Sequence, residues 1–136
     1  MKNSDKPSDK DAKNLLTPIL FPAGGSFLVR CLVMQKPESL GVDQTLTFEP
    51  LVAFEHLADG SFFPMTIGGR VPYWGQVRAS AAGCAVYGVC HSEKCVIAST
   101  IGVFQTVQAF QVEATRVAVE KVNEVRQQKG YELLTT

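Results

Sequence analysis

The sequence predicts an α+β domain: a largely antiparallel sheet of about six to eight strands, packed against one long C-terminal helix and followed by a short strand. Three observations carry this. Residues 106–129 contain neither Gly nor Pro, and Gly130 follows directly, which is the composition of a helix with its stop signal. The chain before it consists of short apolar runs separated by Gly, Pro, Ser and Asp, the pattern of strands and turns. With 136 residues, 46% of them hydrophobic, one core can form without disulfide staples.

Taken in order, residues 1–14 read as a flexible tail whose four lysines alternate with three aspartates; such a segment buries too little apolar surface to offset its ordering entropy. Residues 15–136 form the single domain. Leu15 to Phe21 reads as an edge strand, since Pro18 cannot join a central ladder. Ser26 to Gln35 is the clearest strand. Phe27, Val29, Cys31 and Val33 face one way and Leu28, Arg30, Leu32 and Met34 the other, so it is expected to be central and covered on both faces. Arg30 then needs a polar partner. Gln44 to Phe48 and Leu51 to Leu57 are further strands. Asp59-Gly60 marks a hairpin, with Ser61 to Ile67 returning and Pro64 placing that strand at an edge. Ala85 to Cys90 and Cys95 to Val103 form a second hairpin around residues 91–94. Between Gly60 and Val112 the charged residues are Arg70, Arg78, Glu93 and Lys94, so these strands must be buried in the domain or at an interface.

On the helix, Val107, Phe110, Ala114, Ala118, Val122 and Val125 form one stripe, and Val103 and Val117 join it at 100° per residue. Glu113, Arg116, Glu120, Glu124 and Gln127 lie opposite, giving Glu113–Arg116 and Arg116–Glu120 ion pairs. Thr106 is the candidate N-cap and Gly130 the left-handed C-cap; Tyr131 to Leu134 is the expected final strand. Val112 and Val119 fall off the main stripe, seven residues apart, and suggest a surface that meets a second copy. Gln111 and Lys121 interrupt the apolar face.

Thirteen basic and thirteen acidic residues give a formal net charge of zero. This argues against nucleic-acid binding and against attraction to anionic membranes, and favours self-association. No apolar run reaches the length of a membrane span, and Pro18 and Pro22 break the first apolar run before it could serve as a secretory signal. The expected compartment is the cytoplasm, with reduced cysteines.

Three stretches could carry chemistry. Cys84, Cys90, His91 and Cys95 include metal-ligating types, but a second close pair is missing and Cys84 lies nearly two nanometres along the strand from Cys90 at about 3.3 Å per residue. No metal and no cofactor are expected. Cys90 and Cys95 flank a four-residue turn, a spacing that permits a disulfide under oxidising conditions. Arg70, Tyr73, Trp74 and Arg78 set an aromatic loop between two guanidinium groups, able to hold an anionic or planar ligand or a protein partner. His56 shares a strand face with Val52 and Phe54, whereas Glu55 points to the other face. No GxSxG, Walker A, HExxH or dinucleotide fingerprint is present. The sequence therefore favours a non-enzymatic, self-associating binding module, a homo-oligomer presenting a ligand surface. The alternative is a small enzyme or carrier that binds a small molecule between sheet and helix.

Overall fold

The computed structural model describes residues 19–91 and 96–135. The N-terminal tail, most of the first expected strand, and the turn carrying Glu93, Lys94 and Cys95 lie outside them. The α+β class holds: a six-stranded antiparallel sheet packs against one C-terminal helix, and a smaller sheet accompanies it. The strands are β1 (Ile19–Pro22), β2 (Ser26–Gln35), β3 (Val42–Pro50), β4 (Ala53–His56), β5 (Phe62–Thr66), β6 (Gly69–Arg70), β7 (Arg78–Ala79), β8 (Gly83–His91), β9 (Ile97–Ser99) and β10 (Gly102–Phe104); the helix is α1 (Val107–Lys129). The large sheet runs β10-β9-β8-β2-β3, with β7 also paired to β8; the small sheet runs β1-β4-β5-β6.

β2 lies between β8 and β3, as its two apolar faces require. Val29, Cys31 and Val33 point toward α1 and, with Val86 and Cys84 of β8 and Ile97 of β9, form the core. The helix inserts Phe110, Ala114, Ala118 and Val122, all nearly inaccessible to solvent. Close approach is possible because two of these are alanines, while Gly88 on β8 leaves room for Ile97 beside the helix. A Cβ on Gly88 would stand 2.5 Å from Ile97 Cγ2 and 3.5 Å from the Phe110 ring. On the opposite face of β2, Leu28 joins Ala23 and Leu51, with Phe54, Tyr87 and Val89 packed around them. That second cluster attaches the small sheet.

Both helix ends form as their residue types dictate. The Thr106 side chain accepts from Ala109 N–H, and Gly130 takes φ 76° while its N–H caps the last turn. Arg116 pairs with Glu113 at 2.7 Å and with Glu120 at 3.9 Å. Past the cap, residues 131–135 form no strand. Asn123 receives the Leu134 N–H at 2.7 Å and donates to its carbonyl at 3.1 Å. Thr135 N–H bonds Leu40 carbonyl. The helix side chain supplies the pairing that a sheet neighbour would have given. Arg126, 7% exposed, completes this junction: it donates to the carbonyls of Glu132 and Ala81 and to the Gln35 side chain.

Two further expectations are corrected. The run expected as one strand to Val103 folds back after Ser99, whose hydroxyl donates to Tyr87 carbonyl and accepts from Ile101 N–H; β10 then pairs antiparallel with β9. And β5 is not at an edge, since β6 flanks it. Pro64 is tolerated because the bond it makes beyond the Met65–Arg70 and Thr66–Gly69 pairs uses its carbonyl, which accepts the Val71 N–H at 3.0 Å, and its missing N–H is not called on.

Gly88→Ala and Ala118→Leu are each expected to lower stability by about 1–3 kcal/mol through overpacking, visible as a lower urea midpoint at constant slope. Arg126→Ala should cost about 2–4 kcal/mol because it strands buried carbonyls, and Arg126→Lys should recover only part, lacking the planar fork. Unchanged midpoints would show that the helix is not seated through these contacts.

Candidate functional site

The five residues expected to gather around a ligand do not converge. Directly opposed residues in an antiparallel pair share a face, and the register pairs Glu55 with Phe63 but His56 with Phe62. Arg70 stands on the Glu55 face: its Nε lies 2.6 Å from Glu55 Oε1, and its guanidinium sits 4.6 Å from the Phe63 ring centroid. Glu55 is itself buried. The pair therefore holds β6 to β4 across β5, and the Glu55 contact is the largest influence on Arg70, raising its already high pKa.

On the other face of the small sheet, His56 stacks on Phe62 with ring centroids 5.5 Å apart, Trp74 lies 4.9 Å from the same ring, and Phe54 meets it edge-on. Trp74 Nε1 donates to Phe62 carbonyl at 3.0 Å. Its indole N–H is thus satisfied inside the fold. Arg78 and Tyr73 form a third group. Arg78 belongs to β7 on the large sheet, and its guanidinium lies 4.2 Å from the Tyr73 ring centroid. Both are exposed.

Arg78 borders a wide shallow hollow of about 340 Å³ on the sheet face away from α1, floored by Leu32, Met34, Gly83 and Ala85. Met34 lies across Gly83 so closely that a Cβ there would meet its sulfur at 2.3 Å. Ser80 at the rim is no free nucleophile: its hydroxyl accepts the N–H groups of Ala82 and Gly83 and closes the β7–β8 turn. The hollow offers a cation on an aromatic ring beside an apolar floor, which suits an anionic or planar ligand.

A second hollow, about 330 Å³, lies between α1 and the outer strand β3 and is lined by Gln44, Val112, Thr115 and Arg116. The helix packs chiefly on β8 and β2, and also on β7 and β10, so β3 projects beyond it. Val112 is 65% exposed here, and Phe48 on β3 is 47% exposed. Val119 does not share this surface: it is 8% exposed and belongs to the core. Seven residues at 100° leave the two valines about 20° apart around the helix, but Val119 sits further along α1, within the core. Sequence reasoning placed a strand at Gln44 to Phe48, the middle of β3. Its alternation was legible, but its place at the end of the sheet was not.

Cys31 and Cys84 are buried free thiols, and Cys90 is buried as well; Cys95, and with it any Cys90–Cys95 pairing, lies outside the described residues. Among the described residues no group of three or more His, Cys, Asp or Glu side chains could hold a metal ion, and no helix is long and apolar enough to cross a membrane. Burial, reinforced by Cys31 nearby, pushes the Cys84 thiol up to about 11. Burial likewise raises Cys31, partly offset by a hydrogen bond with Thr115. No family model, no curated protein and no solved structure matches this chain.

Because both thiols have folded-state pKa values above the ordinary 9.0, their protonated forms favour folding below that pH. This contribution is lost as pH rises from about 9 toward 11. The thermal midpoint should therefore fall between pH 8 and pH 10.5, and Cys31→Ala combined with Cys84→Ala should flatten that slope. Alkylation of Cys31 and Cys84 at pH 8 should be slow in the native protein and fast in denaturant; equal rates would contradict the burial.

Proposed function

We propose that this chain is a non-enzymatic module of the cytoplasm that self-associates and presents a binding surface. The observation that supports this best is the β3 edge: a nine-residue strand at the end of the large sheet, with exposed Phe48 on it and exposed Val112 beside it. Long open edges are templates for further strand pairing, and zero net charge leaves little repulsion to prevent it. Several polar groups of the kind catalysis uses are engaged inside the fold. Arg70 holds Glu55, Trp74 holds a backbone carbonyl, and Ser80 closes a turn. The helix–sheet interior is filled by Phe110, Ile97, Val29 and Val86.

A second reading, small-molecule binding, has its own observation: Arg78 poised on Tyr73 beside the apolar hollow. The two readings are compatible, because that hollow lies on the face away from α1. Size-exclusion light scattering over a hundredfold concentration range should show a species above monomer mass; a strict monomer at high concentration would remove the self-association reading. A thermal-shift screen with small aromatic carboxylates and nucleotides tests the second reading: a stabilising hit should vanish in Arg78→Ala, and a hit that survives that substitution binds elsewhere.

A further inference from the structure

Resting on the self-association reading, we propose its geometry: β3 pairs antiparallel with β3 of a second copy, about a two-fold axis through Thr45, and joins the two sheets into one.

The backbone leaves the ladder half open. Leu51 N–H donates to Ser26 carbonyl, and the β2–β3 register pairs Phe27 with Pro50 through Gln35 with Val42. In an antiparallel pair the bonded positions alternate, so Asp43, Thr45, Thr47 and Glu49 direct their N–H and C=O toward β2. Val42, Gln44, Leu46 and Phe48 direct theirs outward. Pro50 falls on the outward set, where a missing N–H costs the internal ladder nothing. Among the described residues no strand meets this outward row.

Side chains select the partner and the register. Arg30, Lys36, Asp43 and Glu49 are two cations and two anions beside this edge, and among the described residues none makes an ion pair. All four lie on the face away from α1. Arg30 is opposed to Thr47 and Met34 to Asp43, while Lys36 lies over Gly41, its Cδ 3.6 Å from where a Cβ would stand. Centring the two-fold on Thr45 sets Thr47 against the partner's Asp43 and Glu49 against the partner's Gly41. Arg30 then shares a row with the partner's Asp43, and Glu49 with the partner's Lys36, each about 10 Å apart at Cα and within reach of long side chains. Because Gly41 has no side chain, the Lys36–Glu49 row stays unobstructed. Each unpaired charge gains an opposite one.

The same register pairs Val42 with the partner's Phe48 and Gln44 with the partner's Leu46, each exchanging both N–H···O bonds. Phe48 lies over the partner's Val42, on the α1 face of the sheet but beyond the reach of the helix, which packs on β8 and β2. Competing registers do worse. Centring on Leu46 opposes Asp43 to the partner's Glu49, a like-charge pair. Centring on Thr47 brings Pro50 into the ladder and loses bonds at both ends. A foreign strand would have to reproduce this spacing of charges, whereas a second copy supplies it by symmetry.

The test uses the full chain. Light scattering should show a dimer for the wild type. Gln44→Pro removes an outward N–H and leaves the β2 ladder intact, so it should abolish dimerisation with the circular dichroism spectrum unchanged. Thr45→Lys, which sets two ammonium groups face to face, should raise the dimer dissociation constant at least about tenfold. Thr45 would meet its symmetry mate at a non-bonded position with Cα atoms about 4.5 Å apart, within disulfide range. Thr45→Cys should therefore cross-link under oxidised glutathione, above the wild-type background from native thiols, whereas Thr47→Cys should not. A monomeric wild type would overturn this geometry and the self-association reading together. A dimer that survives Gln44→Pro and Thr45→Lys would overturn the β3 interface alone. A dimer lost in both variants that cross-links through Thr47→Cys would overturn the register.

Discussion

The close seating of α1 across β2 and β8 is the constraint on which the rest depends. Ala114 and Ala118 bring the helix backbone down to the sheet, Phe110 packs beside Gly88, and Ile97 fits against that position because it has no Cβ. Interiors pack as densely as organic crystals, so the helix has little freedom to slide. Its position in turn fixes where the chain ends. Gly130 turns the backbone, Asn123 and Arg126 catch the terminal segment, and Arg126 binds that segment to the ends of β2 and the β7–β8 turn. A helix seated on β8 and β2 cannot also cover β3. The exposed edge is thus a consequence of the core, and no separate feature need be invoked for it.

The small sheet follows a different economy. Its polar and aromatic groups satisfy one another across short distances: Arg70 with Glu55 on one face, Trp74 and His56 around Phe62 on the other. Its attachment to the large sheet uses a modest apolar cluster around Leu28 and Leu51. This explains why a loop rich in Arg, Tyr and Trp, a composition common at binding surfaces, has much of its chemistry spent internally. The Arg78–Tyr73 pair remains exposed because it belongs to the large sheet and faces the hollow.

Much of the fold was legible because periodicity records which face is buried. The central place of β2 followed from its two apolar faces, the helix ends from Thr106 and Gly130, and the β4–β5 hairpin from Asp59-Gly60, where Asp59 accepts from Ser61 and Gly60 takes φ 91°. Where reading failed, a local signal was overridden by a neighbour. Tyr131 to Leu134 has strand-like composition, but Asn123 occupies its pairing groups. Pro64 signals an edge, yet a two-residue β6 can flank it without needing its N–H. Val119 sits off the ideal stripe but is buried, because the core widens toward the middle of the helix.

The sequence by itself determined the elements, their amphipathic faces, the helix caps and the class, since each depends on interactions within a few residues. Only the tertiary structure decided which strand lies at the edge, that Glu55 meets Arg70 on one face of the small sheet while His56 stacks on Phe62 on the other, and that Arg126 is buried rather than solvated. Those outcomes depend on strand order and on partners far apart in the chain: Gln35 and Arg126 meet across ninety-one positions, and no local pattern encodes such a contact. Strand order also decides that Val42 to Pro50, one alternating segment among several, is the longest edge strand among the described residues and so keeps an open row of backbone donors and acceptors.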